Sequence, residues 1–176
     1  MHILIIGDFM KYYLNLFIIF SIFGYIMELI FKLIFGLDTT NPLYGPWTPI
    51  YGFGSCVIII VMRFIFNRIK AKRFIKIIIF TILTTLILTS IEFIGGTIME
   101  KFTGKIAWDY SNLKFHIGKY ISLEVSFIWM IMSLLLVYIV KPLLDKVIKK
   151  IPSIITYLVS FIIFIDLLYA VIFPHI

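Results

Sequence analysis

Five apolar runs, each close to the length of a membrane-spanning helix, constrain this chain more than any other feature. A helix needs ~20 mostly apolar residues to cross the hydrocarbon core of a bilayer. The runs occupy residues 12–35, 50–66, 74–99, 120–140 and 154–173. They are continuous, which excludes the alternating polarity of barrel strands, and backbone groups inside lipid must be bonded within the protein. The sequence therefore predicts an all-α integral membrane protein with five transmembrane helices.

The composition excludes a soluble domain. Of the 176 residues, 62% are hydrophobic and only 14% are charged, and the mean hydropathy is +1.10. A soluble domain carries roughly 25% charged residues, because it needs a wettable surface. The length predicts a single transmembrane domain over residues 1–176. Met10 and Lys11 before an apolar run are typical of a natural start, so residues 1–9 are predicted to be an over-extended N-terminus and the first run an uncleaved span.

The lysines and arginines predict the orientation of the spans. Eleven lie at the N-terminus or around the second and fourth connections, against five on the opposite side. The eleven are Lys11, Arg63, Arg68, Lys70, Lys72, Arg73, Lys76, Lys141, Lys146, Lys149 and Lys150, and the five are Lys32, Lys101, Lys105, Lys114 and Lys119. The positive-inside rule then places the N-terminus in the cytoplasm and the C-terminus outside. Membrane orientation thus explains the net charge of +7, and the expected partner is the lipid bilayer of a bacterial cytoplasmic membrane rather than nucleic acid.

The connection between the first two spans is rich in glycine, proline and aromatic residues. Residues 41–54 read NPLYGPWTPIYGFG. Three prolines and three glycines exclude a continuous helix through this segment. Two arrangements fit the pattern: a re-entrant loop on the outer side whose backbone is covered by protein or water, and a stiff surface turn with interfacial aromatics. The sequence does not choose between them.

Acidic residues occur where lipid is expected. Glu28, Glu92, Glu124 and Asp166 lie inside the apolar runs, and Glu100 lies at the edge of the third. A carboxylate at the middle of a span costs roughly 2.5–3.5 kcal/mol on insertion scales, so such residues are usually functional and face the bundle interior. The predicted topology places all five in the outer half of the membrane.

Helical spacing places two of these acids on polar faces. In the third span the face is formed by Thr81, Thr85, Thr89, Glu92, Gly96 and Glu100, and in the first span by Ser21, Gly24, Glu28 and Lys32. Small and hydroxyl residues let helices approach each other and hydrogen-bond, so both faces should point into the bundle. We expect a shared polar pocket that opens outward. The alternatives are a Glu28–Lys32 pair and a protonated Glu92 bonded to a threonine. No span contains histidine, and no metal or cofactor site is predicted.

Five motifs in order resemble one bacterial membrane family. They are GYIMELIF around Glu28, YGPWTPIYGFG, a Glu-x-x-x-Gly-x-x-x-Glu pattern, WDYS at 108–111, and SLEVSFIWM. Over residues 17–140 the chain is similar to the family named putative type IV ABC transporters. The matching positions are Glu28, Gly45, Pro46, Pro49, Tyr51, Gly52, Gly54, Glu92, Gly96, Glu100, Trp108, Asp109, Tyr110 and Ser111. The chain departs from the family pattern at His116, where asparagine is usual, and at Glu124, where no acid is regular.

The resemblance implies a transporter membrane subunit, and the acids suggest its ligand site. The predicted ligand-binding residues are Glu28, Glu92, Glu100, Gly45, Pro46, Trp47, Tyr51, Trp108, Asp109 and Tyr110. Carboxylates suit protons, hard cations or a cationic ligand group. The chain has no G-x-x-x-x-G-K-[ST] phosphate loop, so ATP-driven transport would require a separate ATPase, or another membrane subunit, at the cytoplasmic connections. Two alternatives stay open: a membrane-embedded enzyme acting on a lipid-linked or envelope substrate, and a non-catalytic regulatory or structural subunit.

The predicted orientation can be measured with fusion reporters. A reporter that is active only outside the cytoplasm should be active when it is fused after Ile176, because five spans follow a cytoplasmic N-terminus. A reporter that is active only in the cytoplasm should be silent at the same position. The reverse pattern would contradict the assigned orientation.

Overall fold

The computed structural model describes residues 2–35, 43–104, 106 and 108–173. These residues form six α-helices: α1 His2–Phe35, α2 Pro49–Arg68, α3 Arg73–Thr103, α4 Leu123–Leu135, α5 Lys141–Ile148 and α6 Ser153–Ile172. Two short antiparallel strands, β1 His116–Ile117 and β2 Ile121–Ser122, lie between α3 and α4. Predicted features at Asn41, Pro42, Lys105 and residues 174–176 lie outside the described residues.

The predicted membrane architecture is confirmed. Five helical segments of the described chain are long and apolar enough to cross a bilayer. They are Gly7–Ile30, Pro49–Arg68, Arg73–Phe102, Leu123–Ile148 and Ser153–Ile172. Each overlaps one of the five apolar runs, so the fold is that of an all-α membrane protein.

The irregular part of the glycine- and proline-rich segment is shorter than predicted. The helix α2 already begins at Pro49 and runs through Gly52 and Gly54. Proline is favoured in the first turn of a helix, where its missing N–H would have no partner and its φ angle is already helical. The non-helical stretch among the described residues is therefore 43–48. Its depth in the membrane remains a prediction.

The fourth span contains a local change of helix type. A π-helical turn, Leu136–Val140, joins α4 to α5. Pro142 follows two residues later and has no backbone N–H, so it cannot complete the α-helical hydrogen bond to the carbonyl of Tyr138. The wider turn is a known way for a helix to accommodate such a defect. The span continues as one helical rod into the basic segment that carries Lys141 and Lys146.

The chain forms two compact units, Met1–Phe53 with Leu144–Ile176 and Gly54–Leu143. The first unit contains α1 and α6, which pack together. The hydroxyl of Thr156 donates to the Asn15 side chain at 3.0 Å, and the Tyr12 hydroxyl donates to Asp145 at 3.0 Å. The starts of α1 and α6 therefore lie at one end of this unit, as the predicted topology requires of two spans that cross in the same direction. A single transmembrane domain remains a prediction.

The second unit is built on the packing of α3 against α4. The buried side of α3 follows a strict four-residue step through Phe80, Thr84, Leu88, Glu92 and Gly96. In the first half of α3, the buried positions are shifted by one residue from the predicted polar face. Thr84 is fully buried there, whereas Thr81 and Thr85 are not. The Thr84 hydroxyl donates to the carbonyl of Phe80 at 2.7 Å, and a threonine bonded to its own helix can be buried without loss of a hydrogen bond. Hydroxyls also cross the interface, since Thr89 and Ser126 lie 2.9 Å apart.

The contact between Gly24 and Tyr51 predicts a stability effect. The Tyr51 side chain lies against the backbone of α1, and a Cβ atom at Gly24 would overlap the Tyr51 Cβ and ring. Gly24→Ala should therefore destabilise the protein by about 1–3 kcal/mol through overpacking. The measurement is thermal unfolding of the purified protein in detergent.

Gly7→Ala is the matched control on the same helix. A Cβ atom at Gly7 would meet nothing within 4 Å. Alanine also has the higher helix propensity, so this variant should unfold at the same or a higher temperature than the wild type. Equal unfolding temperatures for the two variants would show that the close approach at Gly24 does not matter.

Candidate functional site

Glu92 is a buried carboxylate inside the third span. Its side chain is 5% exposed. The Tyr110 hydroxyl donates a short hydrogen bond to Oε1, and the Trp129 indole Nε1–H donates to Oε2 at 2.9 Å. Helical side chains tilt toward the N-terminus of their helix, which lets Trp129 on α4 reach back to Glu92. In the described chain these two neutral groups are the hydrogen-bond donors to this carboxylate.

Glu100 lies two helical turns beyond Glu92 on the same helix. Lys119 Nζ forms an ion pair with Oε1 at 2.6 Å, and the Tyr120 hydroxyl donates to Oε2 at 2.6 Å. Tyr120 is buried, and its ring lies over Gly96, where no side chain would fit. Burial and the neighbouring Glu100 raise the pKa of Tyr120 to about 12. The Tyr120 hydroxyl thus stays protonated at neutral pH and remains a donor.

The WDYS motif opens a hairpin of residues 108–122, called the WDYS hairpin below. Tyr110 N–H donates to the carbonyl of Lys119 at 2.8 Å, and the strands pair His116 with Ser122. The Asp109 carboxylate accepts hydrogen bonds from the backbone and the hydroxyl of Ser111, which form a tight turn. These bonds hold the pKa of Asp109 below its usual value. The motif therefore shapes the loop that presents Tyr110 to Glu92.

Two further contacts fix the hairpin: the Trp108 ring packs within it, and Glu124 at the start of α4 forms hydrogen bonds to it. Trp108 packs edge-on against Tyr120, with ring centroids 6.0 Å apart. Glu124 accepts from the Ser122 hydroxyl at 2.6 Å and from the backbone N–H of Phe115 at 3.1 Å. Glu124 therefore bonds to residues close to it in the loop, and among the described residues its hydrogen-bond donors differ from those of Glu92.

Asp166 on α6 bonds to the segment before α2. Its carboxylate accepts from the backbone N–H of Tyr44 at 3.2 Å, from that of Gly45 at 3.0 Å, and from Trp47 Nε1 at 2.7 Å. The Tyr44 hydroxyl donates to the carbonyl of Phe173 at 2.9 Å. Asp166 is not among the ligand-binding residues that the sequence predicts. The backbone N–H groups of a Gly-Pro loop have no partners within a helix and must find hydrogen-bond acceptors elsewhere. This requirement is the sequence feature that could have indicated a role for Asp166.

Glu28 lies beside the same segment in the first unit. It is half-buried and accepts a hydrogen bond from the Thr48 hydroxyl at 3.2 Å, while the Thr48 backbone N–H donates to the carbonyl of Ser21 at 2.8 Å. Tyr51 packs on Gly24, and Pro46 is exposed. Glu28 and the Gly-Pro segment are thus in contact within the first unit. Glu92 and Glu100 belong to the second unit, and the pocket shared by all three acids remains a prediction.

The described residues contain no group of three or more histidine, cysteine, aspartate or glutamate side chains that could hold a metal ion. The site chemistry that the structure offers is that of carboxylates bonded to tyrosine, tryptophan and lysine donors. Such a set can bind a proton or a cation and can fix the position of a loop.

Five apolar helices, one of which carries a buried carboxylate, define a multi-pass membrane protein. Comparison with known families gives its relationship. The model of the family described as "Putative ABC-transporter type IV" matches residues 15–173. The chain therefore belongs to this family, as the motifs predicted, and the match extends beyond residues 17–140 at both ends. No curated protein and no solved structure matches the chain.

The bonds to Asp166 predict that this residue holds the segment 43–48. Asp166→Ala removes three hydrogen bonds to a carboxylate, each contributing ~1.5–3 kcal/mol in proteins. The readout is the rate of thiol labelling at Leu43→Cys in a Cys56→Ser background, because Leu43 is only 5% exposed and Cys56 is the single cysteine of the chain. Labelling should accelerate about tenfold or more when the segment is released.

Asp145→Ala is the control in the same unit. Asp145 also accepts a hydrogen bond from an aromatic side chain, Tyr12, but at the other end of the helices. Its removal should leave labelling at Leu43→Cys unchanged. Equal acceleration by both variants would indicate general loosening instead of a specific hold by Asp166.

Proposed function

We propose that this chain is the membrane-spanning subunit of a transport system, and that Glu92 is its binding site for a proton or the cationic group of a ligand. Membership of the ABC-transporter-related family supports the transport part. The observation that carries the site is the burial of the Glu92 carboxylate between two neutral donors inside a span.

The surroundings of Glu92 favour capture of a positive charge. Tyr110 and Trp129 stabilise an ionised carboxylate by hydrogen bonds but do not cancel its charge. A buried charge without a counter-ion is strongly unfavourable in a medium of low dielectric constant. A bound proton or cation relieves that penalty directly. The two aromatic rings add faces to which cations are attracted.

Glu100 extends the same path outward. It lies eight residues after Glu92 on α3, which corresponds to ~12 Å along the helix axis. Its carboxylate is 38% exposed and carries a negative charge at the end of the span. An exposed acid near a deeper one raises the local concentration of cations.

A structural role of the acids is the second candidate. It is favoured by the hydrogen bonds that Asp166 and Glu124 make to loop backbone, because both acids fix the chain next to a helix. Under this alternative, Glu92 also fixes the position of a loop, by accepting the hydrogen bond of Tyr110. The two candidates differ in whether a cation affects the protein through Glu92.

We further propose a separate ATPase as a partner. The family name supports an ATP-driven system, and this chain carries no phosphate loop of its own. The connection between α2 and α3 is exposed and basic at Arg68, Lys70, Lys72 and Arg73. It lies on the predicted cytoplasmic side, where it would face an acidic surface of the ATPase or anionic lipid headgroups.

Glu92→Gln tests the site. Glutamine keeps the size and one acceptor of the side chain but cannot carry a negative charge. The wild-type protein in detergent should be stabilised in a saturable way by at least one probe from a panel of potassium, choline, tetraethylammonium and spermidine. Stabilisation at 100 times the dissociation constant amounts to about 2.7 kcal/mol, and Glu92→Gln should abolish it.

Glu124→Gln is the matched control, because Glu124 is a glutamate of the same unit that bonds to the hairpin and the start of α4. This variant should keep the response to the cation. If Glu92→Gln responds like the wild type, the cation site is wrong and the structural role is favoured.

A further inference from the structure

We propose that the WDYS hairpin is a gate over Glu92 and that Glu100, Lys119 and Tyr120 form the clasp that holds it closed. The proposal rests on the proposed function in one respect: a gate over Glu92 controls binding only if Glu92 is the binding site. In the structure the gate is closed, because Tyr110 occupies one oxygen of the buried carboxylate.

The hairpin is attached to α3 at two points. Tyr110 contacts Glu92 at the deeper point, and Lys119 and Tyr120 contact Glu100 at the outer point. Residues that lie eight apart share a face of a helix, so both attachments are on the same side of α3. Gly96 lies midway between the two acids and leaves room for the Tyr120 ring. The hairpin thus covers α3 lengthwise from one glutamate to the other.

The two attachments are mechanically connected within the hairpin. The backbone N–H of Tyr110 donates to the carbonyl of Lys119 at 2.8 Å, so the residue at the deep point is bonded to a residue of the clasp. The N–H of Leu113 donates to the carbonyl of Tyr110 at 2.9 Å, and β1 pairs with β2. Movement of Lys119 and Tyr120 away from Glu100 would therefore draw Tyr110 away from Glu92.

The closed position is held by contacts that can be released. Lys119 and Glu100 are 43% and 38% exposed, and ion pairs at such positions are weakened by water and salt. The buried indole N–H of Trp108 has no hydrogen-bond partner among the described residues. An unpaired buried donor disfavours the conformation that contains it, so closure depends strongly on the clasp. These two features distinguish a gate from a permanently packed loop.

The test measures access to the interior of the second unit. A cysteine at Ser126, whose hydroxyl bonds to Thr89 at the α3–α4 interface, serves as the reporter in a Cys56→Ser background. The probe is an uncharged, membrane-impermeant methanethiosulfonate carrying a sugar group, applied to full-length protein in intact cells, so that the charge changes do not themselves attract or repel it. Glu100→Lys and Lys119→Glu each replace attraction by like-charge repulsion and should raise the labelling rate at least about tenfold.

The charge swap is the decisive variant. Glu100→Lys combined with Lys119→Glu restores an ion pair of opposite polarity and should return labelling to within about twofold of the unswapped protein. Lys114→Glu is the control for charge on the hairpin, because the contact of Lys114 is with the neighbouring Phe115 ring. It should leave the labelling rate unchanged. Tyr120→Phe removes only the hydroxyl bond to Glu100 and should accelerate labelling even if the reversed charges impair folding.

The proposal is overturned if the single reversals and Tyr120→Phe label at the wild-type rate. It is also overturned if Lys114→Glu accelerates labelling as much as Lys119→Glu, or if the charge swap stays as open as the single reversals. Labelling needs no ligand, so its outcome is independent of the cation response of Glu92. A gate without a cation response would refute the proposed function alone, and a cation response without gating would refute the gate alone.

Discussion

A carboxylate inside a membrane span must find its hydrogen-bond donors within the protein, and much of this structure is arranged to supply them. Glu92 is bonded by Tyr110 and Trp129, and Asp166 is bonded by Trp47 and two backbone N–H groups. In each unit one acid of a span therefore determines the position of a segment outside the helices. Segment 43–48 and the WDYS hairpin are each bonded to an acid that lies in a helix.

The side chains that donate to Glu92 and Asp166 are aromatic, and this choice has a physical reason. Tyrosine and tryptophan combine an apolar body with a polar tip, which suits the boundary between hydrocarbon and water. They satisfy an acid without adding a charge to the membrane. At Glu100, at the exposed end of α3, a lysine is one of the donors, and water can share this ion pair. Within the described part of α3, the buried acid thus has neutral donors and the more exposed acid has a charged one.

The sequence predicts those features that depend on local pattern. Apolar length predicts the five helices, and four-residue spacing places Glu92, Gly96 and Glu100 on one face, where the structure has them. The bond from Trp47 to Asp166 joins residues 119 positions apart, and no local pattern specifies that pairing. The apolar run predicts the start of α2 to within one residue, but the number of glycines does not predict that Gly52 and Gly54 are helical, whereas the close packing on Gly52 explains why a small residue lies there. Hydrogen bonds between residues far apart in the sequence, and the space available for packing, thus determine the parts of the fold that composition does not predict.

The π-helical turn at Leu136–Val140 has a consequence for the two ends of the fourth span. One extra residue in a turn offsets the following side chains by about 100° from the register of an unbroken α-helix. The direction of the basic residues on α5 is therefore uncoupled from the direction of the apolar face on α4. A single helical rod can in this way present its lipid-facing surface and its charged end to different neighbours.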